Sequence, residues 1–364
     1  MRLGVEAALV DGRLLPGDLE VVDGLVARAG LASPNGRGIA APGFLDLQVN
    51  GFAGVDFLEA DADGYRRAGR ALLETGVTAY LPTFITASEE RLLAALRALP
   101  AGASGGPRIL GAHLEGPFLS PRRLGIHPAR ERRDPDVRLL ERLLAAGPVR
   151  LVTLAPELPG ADALIRLLVA RGVAVSCGHS DATSEQAHAA FDAGVRAVTH
   201  LFNAMRPFTH RDPGIAVAAL AREDVIVQVI LDEVHLAPET ASMVWQAAAG
   251  RVALVTDAVA GAAAADGRYR IGGVQIEIAD GVARGEDGEL AGSTLTMIGA
   301  VRNLHALGAS LEQALEAATA VPARVLDERS AGRIAPGTPA DLVVLSEELE
   351  IVRVLVGGVE RVAV

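Results

Sequence analysis

Short apolar runs alternating with longer, helically periodic stretches fill the chain from residue 42 to residue 256. Runs that read as buried strands fall at 44–49, 77–84, 108–114, 149–155, 173–177, 197–201, 225–231 and 252–256. Between them, residues 68–74, 89–99, 136–146 and 161–170 are rich in Ala, Leu and Arg at helical spacing. Eight strands alternating with helices is the count of an α/β protein built as a (β/α)8 TIM-like barrel. Beyond the eighth run, residues 269–282 predict an inserted hairpin, and helices resume over 294–307 and 311–319.

The two ends of the chain follow a different pattern. Residues 1–42 are short Val/Leu segments broken at Asp11-Gly12 and Asp23-Gly24, both hairpin signals. The tail returns to short strands near 341–345 and 351–356. Both ends are expected to pair as one small β-sandwich domain, 1–42 with 334–364, leaving 43–333 as the catalytic barrel.

In a barrel of this kind the chemistry sits at the carboxyl ends of the strands. Reading those positions off the eight runs yields Gln48 and Asn50, Thr83, Glu115, Glu157, His179, His200, Asp232 and Asp257. The stretch from Val173 to Met205 shows the logic most clearly. Its first apolar run ends at Gly178-His179-Ser180, Thr183 and Gln186 have capping-box spacing, Gly194 suits a helix stop, and the second run ends at His200. Parallel neighbours lie about 4.8 Å apart, so the two histidines can share one metal ion. With Glu115 they make a carboxylate and two imidazoles from three strands, a set that leaves a coordination position open for water. Asp257, on the last strand, is then free to act on that water. Among the remaining candidates, Cys177 reads as a small buried hydrophobe, His113 as a packed residue behind the site, and His188 and His305 as solvated helix residues.

Composition narrows the class of partner. The 364 residues carry a net charge of −11 and every basic side chain is arginine, which disfavours nucleic acid and anionic membrane surfaces. No apolar run approaches the roughly 20 residues of a membrane span, and the first residues lack the apolar core of a signal peptide. The single cysteine excludes an internal disulfide framework, so the expected location is the reducing cytoplasm.

His113-Leu114-Glu115-Gly116-Pro117-Phe118, Gly178-His179-Ser180, Thr199-His200-Leu201-Phe202-Asn203-Ala204-Met205, Val255-Thr256-Asp257-Ala258 and Gly292-Ser293-Thr294-Leu295-Thr296-Met297 carry a family resemblance. Together they resemble the N-acetylglucosamine-6-phosphate deacetylases of the amidohydrolase superfamily. The similarity extends from Pro42-Gly43-Phe44 to the closing Pro336-Gly337-Thr338-Pro339-Ala340-Asp341-Leu342. It implies hydrolysis of the acetamide of N-acetylglucosamine 6-phosphate to glucosamine 6-phosphate and acetate. The galacto epimer is the alternative substrate, and a non-catalytic scaffold is the competing reading from another class. The resemblance further implies Glu115, His179 and His200 as metal ligands and Asp257 as general base and then acid. His127 would hold or polarise the acetamido group, while Asn203, Ala204, Arg211 and His235 would contact the sugar phosphate. Arg211 is assigned either to its own site or to the neighbouring subunit's in a homodimer. Where many amidohydrolases carry His-x-His and a second metal, this chain has Gln48-Val49-Asn50. Neutral amides are poor transition-metal ligands, so one divalent ion per chain is expected, zinc first, with iron or another divalent ion as alternatives. Asp232-Glu233-Val234-His235 adds a carboxylate that would repel a phosphate unless Glu233 points away.

Overall fold

The structure is a computed structural model describing residues 1–32, 36–100 and 105–363, so parts of both expected units, 33–35, 101–104 and 364, lie outside the described residues. A parallel sheet wraps into a barrel from strands β1 (Phe44–Val49), β2 (Val77–Ile85), β3 (Ala112–Glu115), β4 (Val149–Leu154), β5 (Ala174–Cys177), β6 (Ala197–Val198), β7 (Ile226–Val229) and β8 (Val252–Leu254). Each pairs in parallel with the next. Closure between β8 and β1 is made just past their ends, by a parallel bridge of Val49 with Ala258 and the Asn50 N–H to the Ala258 carbonyl at 2.8 Å.

Why these runs are strands follows from where their side chains go. Leu45, Leu47, Ala79, Leu81, Leu151, Ala197, Ala253 and Val255 fill the barrel interior. Val321, Ala323, Val325 and Leu326, on and just after the helix Ala320–Val325, pack against that interior from the amino-terminal end. A larger apolar cluster outside the strands, including Phe44, Tyr80, Leu140, Leu164, Phe191 and Val244, seats the surrounding helices. The capping box of Thr183 and Gln186 is formed and starts the helix Ser184–Asp192.

Several boundaries differ from the sequence expectation for identifiable reasons. The third run is two pieces, Arg108–Ile109 and Ala112–Glu115. Gly111 lies between them at φ 135°, and a Cβ there would meet the Pro148 carbonyl oxygen at 2.8 Å, so only glycine lets the chain turn against β4. The first helix starts earlier, at Ala62, because Asp61 caps it by accepting from the Gly64 N–H. The expected hairpin after β8 is a three-stranded antiparallel sheet, Gly267–Ile271, Val274–Ala279 and Val282–Gly285.

Both chain ends meet in one six-stranded sheet, in which Ile39–Pro42 lies between Ala7–Val10 and Leu342–Leu345. The hairpin Asp18–Val22/Leu25–Leu31 covers it over a shared core of Leu3, Leu19, Val21, Val26, Ala40, Leu342 and Leu355. Asp11 and Asp23 take positive φ, 47° and 50°, ahead of Gly12 and Gly24, as two-residue hairpin turns require.

Candidate active site

At the carboxyl end of the barrel, strand β3 ends on Glu115, and the chain leaves β5, β6 and β8 through His179, His200 and Asp257. The last three adopt left-handed backbone, at φ 47°, 29° and 50°. Non-glycine residues avoid this region unless the surroundings enforce it, and such strain collects at functional positions.

The three expected ligand atoms converge. His200 Nε2 lies 3.0 Å from Glu115 Oε1 and 3.1 Å from His179 Nε2, and His179 Nε2 lies 3.3 Å from the same carboxylate oxygen. All three residues are buried. The Arg123 carbonyl accepts a hydrogen bond from His179 Nδ1–H at 2.9 Å, so the ring proton is on Nδ1 and Nε2 faces the cluster as a bare lone pair. A lone pair, a second imidazole nitrogen and a carboxylate oxygen at these separations fit tetrahedral donors about 2.0–2.2 Å from one small divalent ion.

The charges behave accordingly. Burial alone would raise Glu115, but the His127, His179 and His200 imidazoles crowded against it outweigh that and hold its carboxyl well below the usual range. Burial, aided by His127, pushes His179 down to about 4, whereas the bond to Glu115 outweighs burial at His200 and raises it. Beneath this layer, His113 bonds Thr83 Oγ1 at 3.3 Å and Thr153 Oγ1 at 2.8 Å, and burial pushes it down to about 4.

Asp257 stands beside the cluster. Burial, with the Glu115 charge adding to it, raises its carboxyl to about 6. Gln48 Nε2 donates to Glu115 Oε1 and to Asp257 Oδ1, both at 2.9 Å, and Asn50 Nδ2 donates to Asp257 Oδ1 at 2.7 Å. The Gln48 amide thus bridges the Glu115 and Asp257 carboxylates, and Asn50 adds a second N–H to Asp257. Their own oxygens, Gln48 Oε1 and Asn50 Oδ1, are buried without a partner.

His127 faces the cluster from the loop after β3. Its Nδ1 accepts from the Thr86 N–H at 3.2 Å, so the ring proton sits on Nε2, 3.6 Å from Glu115 Oε2. That N–H is aimed at the pocket and is suited to an oxygen carrying developing charge.

A cavity of about 350 Å³ holds these groups and is also lined by Asn203, Ala204 and His235. Asp232 Oδ2 takes the His235 ring at 2.7 Å, which orients it. Arg211 is absent from this lining and lies exposed on its loop, while Asp212 pairs with Arg206 at 2.6 Å. Glu233 faces a separate small apolar hollow beside Leu236 and Ala241, away from the catalytic cavity. Lining residues given no role from the sequence are Arg122, Arg123, Gly125, Ile126, Ile230, Ile271, Glu289 and Leu290, together with Gly292 at the head of a quoted motif. Only the nearness of Arg122 and Arg123 to His127 could have signalled them.

A chain with this barrel and a Glu115, His179 and His200 cluster at its mouth falls in a known class. The amidohydrolase family matches residues 39–361, and the chain belongs to that family. It is 40% identical to a human N-acetylglucosamine-6-phosphate deacetylase, over 89% of this chain and 83% of the relative. An N-acetylgalactosamine-6-phosphate deacetylase from Escherichia coli O157:H7 is 36% identical over 88% of this chain and 87% of its own. Among solved structures, a mutant N-acetyl-D-glucosamine-6-phosphate deacetylase of Mycobacterium smegmatis, in complex with N-acetyl-D-glucosamine-6-phosphate, superimposes with a TM-score of 0.95 at 39% identity. It covers 100% of this chain and 99% of that one. The Thermotoga maritima N-acetylglucosamine-6-phosphate deacetylase superimposes at 0.93 with 32% identity and full coverage of both chains.

Proposed function

We propose that this chain hydrolyses the acetamide of N-acetylglucosamine 6-phosphate, releasing acetate and glucosamine 6-phosphate. The observation that carries the reading is one cavity in which Glu115, His179 and His200 aim donors at a common point with Asp257 and His127 beside them. Glu115 Oε1, His179 Nε2 and His200 Nε2 would hold one divalent ion, with zinc the leading candidate. Such an ion supplies Lewis acidity, polarising the amide carbonyl and making water a competent nucleophile near neutral pH.

The remaining steps belong to the chain. Asp257, already bonded on Oδ1 by Gln48 and Asn50, takes the proton of the attacking water and then delivers one to the amine nitrogen, which cannot leave as an anion. His127 Nε2–H stabilises the carbonyl oxygen as it gains charge. Asn203, Ala204 and His235 line the cavity where the sugar phosphate would lie. Arg211, exposed and outside its own chain's cavity, would meet a phosphate only across the interface of a homodimer.

Two outcomes test this reading. Elemental analysis should find one firmly bound divalent ion per chain, because Gln48 and Asn50 fill the neighbouring position with amide donors. Two firmly held ions would defeat that. Second, kcat/KM should be far higher for N-acetylglucosamine 6-phosphate than for N-acetylglucosamine. Arg211→Ala should remove about 10- to 150-fold of that preference, the worth of a charge-assisted hydrogen bond of roughly 1.5–3 kcal/mol. Equal wild-type values for the two sugars would refute the phosphate reading. The galacto epimer belongs in the same assay, since the curated relatives include both deacetylases.

A further inference from the structure

His179 and His200 play matching parts but are held differently. His200 Nδ1 is buried without a hydrogen-bond partner among the described residues, so no polar contact on its far side orients the ring. His179 Nδ1 instead meets the Arg123 carbonyl at 2.9 Å. A metal-binding imidazole is only as well aimed as the group holding its other nitrogen. Here that group sits on an irregular loop, and a loop carbonyl is placed no better than its loop.

What holds the loop is a short chain of charged contacts returning to the same strand end. The Arg123 guanidinium folds back onto Asp181, two residues past His179, with Nε at 2.8 Å and Nη2 at 2.7 Å from Oδ1. Arg122 Nη1 takes Asp181 Oδ2 at 3.1 Å, and Arg206 Nη1 approaches the same oxygen at 3.4 Å. Asp181 is itself anchored, since its N–H and the Ser180 hydroxyl donate to the two Glu157 carboxylate oxygens, each at 2.7 Å. The loop's backbone adds the Ser120 N–H to the His179 carbonyl at 2.9 Å. Glu157, Asp181, Arg123 and His179 thus form one continuous brace that ends on His179 Nδ1, the ring nitrogen opposite the one facing the cluster.

We propose that Arg123, clamped by Asp181, is a positioning residue that aims His179 and so governs how firmly the site keeps its ion. The proposal rests on the metal reading above and adds to it residues that the catalytic steps do not use. Arg123 also lines the cavity, which supplies a rival role as a substrate contact, and the two roles predict different losses.

The experiment loads the whole enzyme with Zn2+ and follows zinc transfer to a chromogenic chelator, alongside KM and kcat. Arg123→Ala keeps the main-chain carbonyl but removes its anchor. It should weaken zinc retention by about 10- to 100-fold, the usual cost of losing a group that orients a metal ligand. Asp181→Ala should do the same, the double variant should be no worse than either single one, and Arg123→Lys should recover part of the loss. Arg166→Ala, at an exposed helix position that pairs with Asp162 and takes no part in the brace, should keep zinc as the wild type does. Should Asp181→Ala fail to fold, the half-exposed Arg123 positions carry the test alone. Wild-type zinc retention in Arg123→Ala, with KM raised, would overturn the brace and make Arg123 a substrate contact. A wild type that takes up no zinc, or keeps it equally well as His179→Ala, would instead remove the metal reading and the brace with it.

Discussion

Asp257→Asn should lose at least a hundredfold in kcat/KM while its metal content stays near that of the wild type. The carboxyl lies buried between Gln48 and Asn50, whose amides donate to Oδ1 at 2.9 and 2.7 Å. Asparagine keeps that shape and can still accept both bonds, so the site should not collapse. It cannot accept a proton from water, and general acid–base catalysis contributes typically about 10²–10⁴-fold. Burial and the Glu115 charge raise Asp257 to about 6, which places a base near working pH. Without a bound cation its carboxyl is mostly ionised above that value and mostly protonated below it. The acid limb of kcat/KM should therefore fall at or below a pH of about 6, because a bound cation can only lower it further. The measurements are the pH–rate profile and elemental analysis of both proteins. An Asp257→Asn protein that sheds metal as readily as a His179 or His200 variant would make Asp257 a ligand first.

A second large loss is expected at Glu115. Its Oε1 stands 3.0 Å from His200 Nε2 and 3.3 Å from His179 Nε2, so it is the one anionic member of the cluster. Glu115→Gln conserves volume and removes the charge, and a neutral amide is a poor ligand for zinc or iron. The variant should be recovered with little or no bound metal. Lewis-acid stabilisation is worth several kcal/mol, so turnover should fall by about a thousandfold or more. Metal content and kcat/KM measured together decide the matter. A metal-free Glu115→Gln protein with wild-type turnover would show that the hydrolysis does not depend on this cluster.

Much of this architecture is visible in the amino-acid sequence because strand and helix periodicity are local. A buried strand shows as a continuous apolar run whichever strands flank it, so the eight runs and the helices after the first five could be read from the chain alone, whereas the helices Gly214–Leu220 and Pro238–Ala248 were not. The Thr183–Gln186 box and the Asp11-Gly12 and Asp23-Gly24 turns were equally legible, since each needs only residues within one turn. Because a barrel places its chemistry at strand ends, Glu115, His179, His200 and Asp257 followed from counting strands.

Tertiary structure decided whatever depends on which loops meet. Gln48 and Asp257 are 209 positions apart and bond only because β8 returns beside β1. No pattern in the chain indicates that Arg123 turns its carbonyl to His179 and its guanidinium to Asp181, or that Leu290 and Gly292 reach the cavity from beyond the inserted sheet. Arg211 illustrates the reverse case, a position on the loop after His200 that the fold carries out of its own chain's pocket. Periodicity states which face of an element is buried. The closure of the barrel, and the few charged contacts that pin its loops, determine which atoms meet at its mouth.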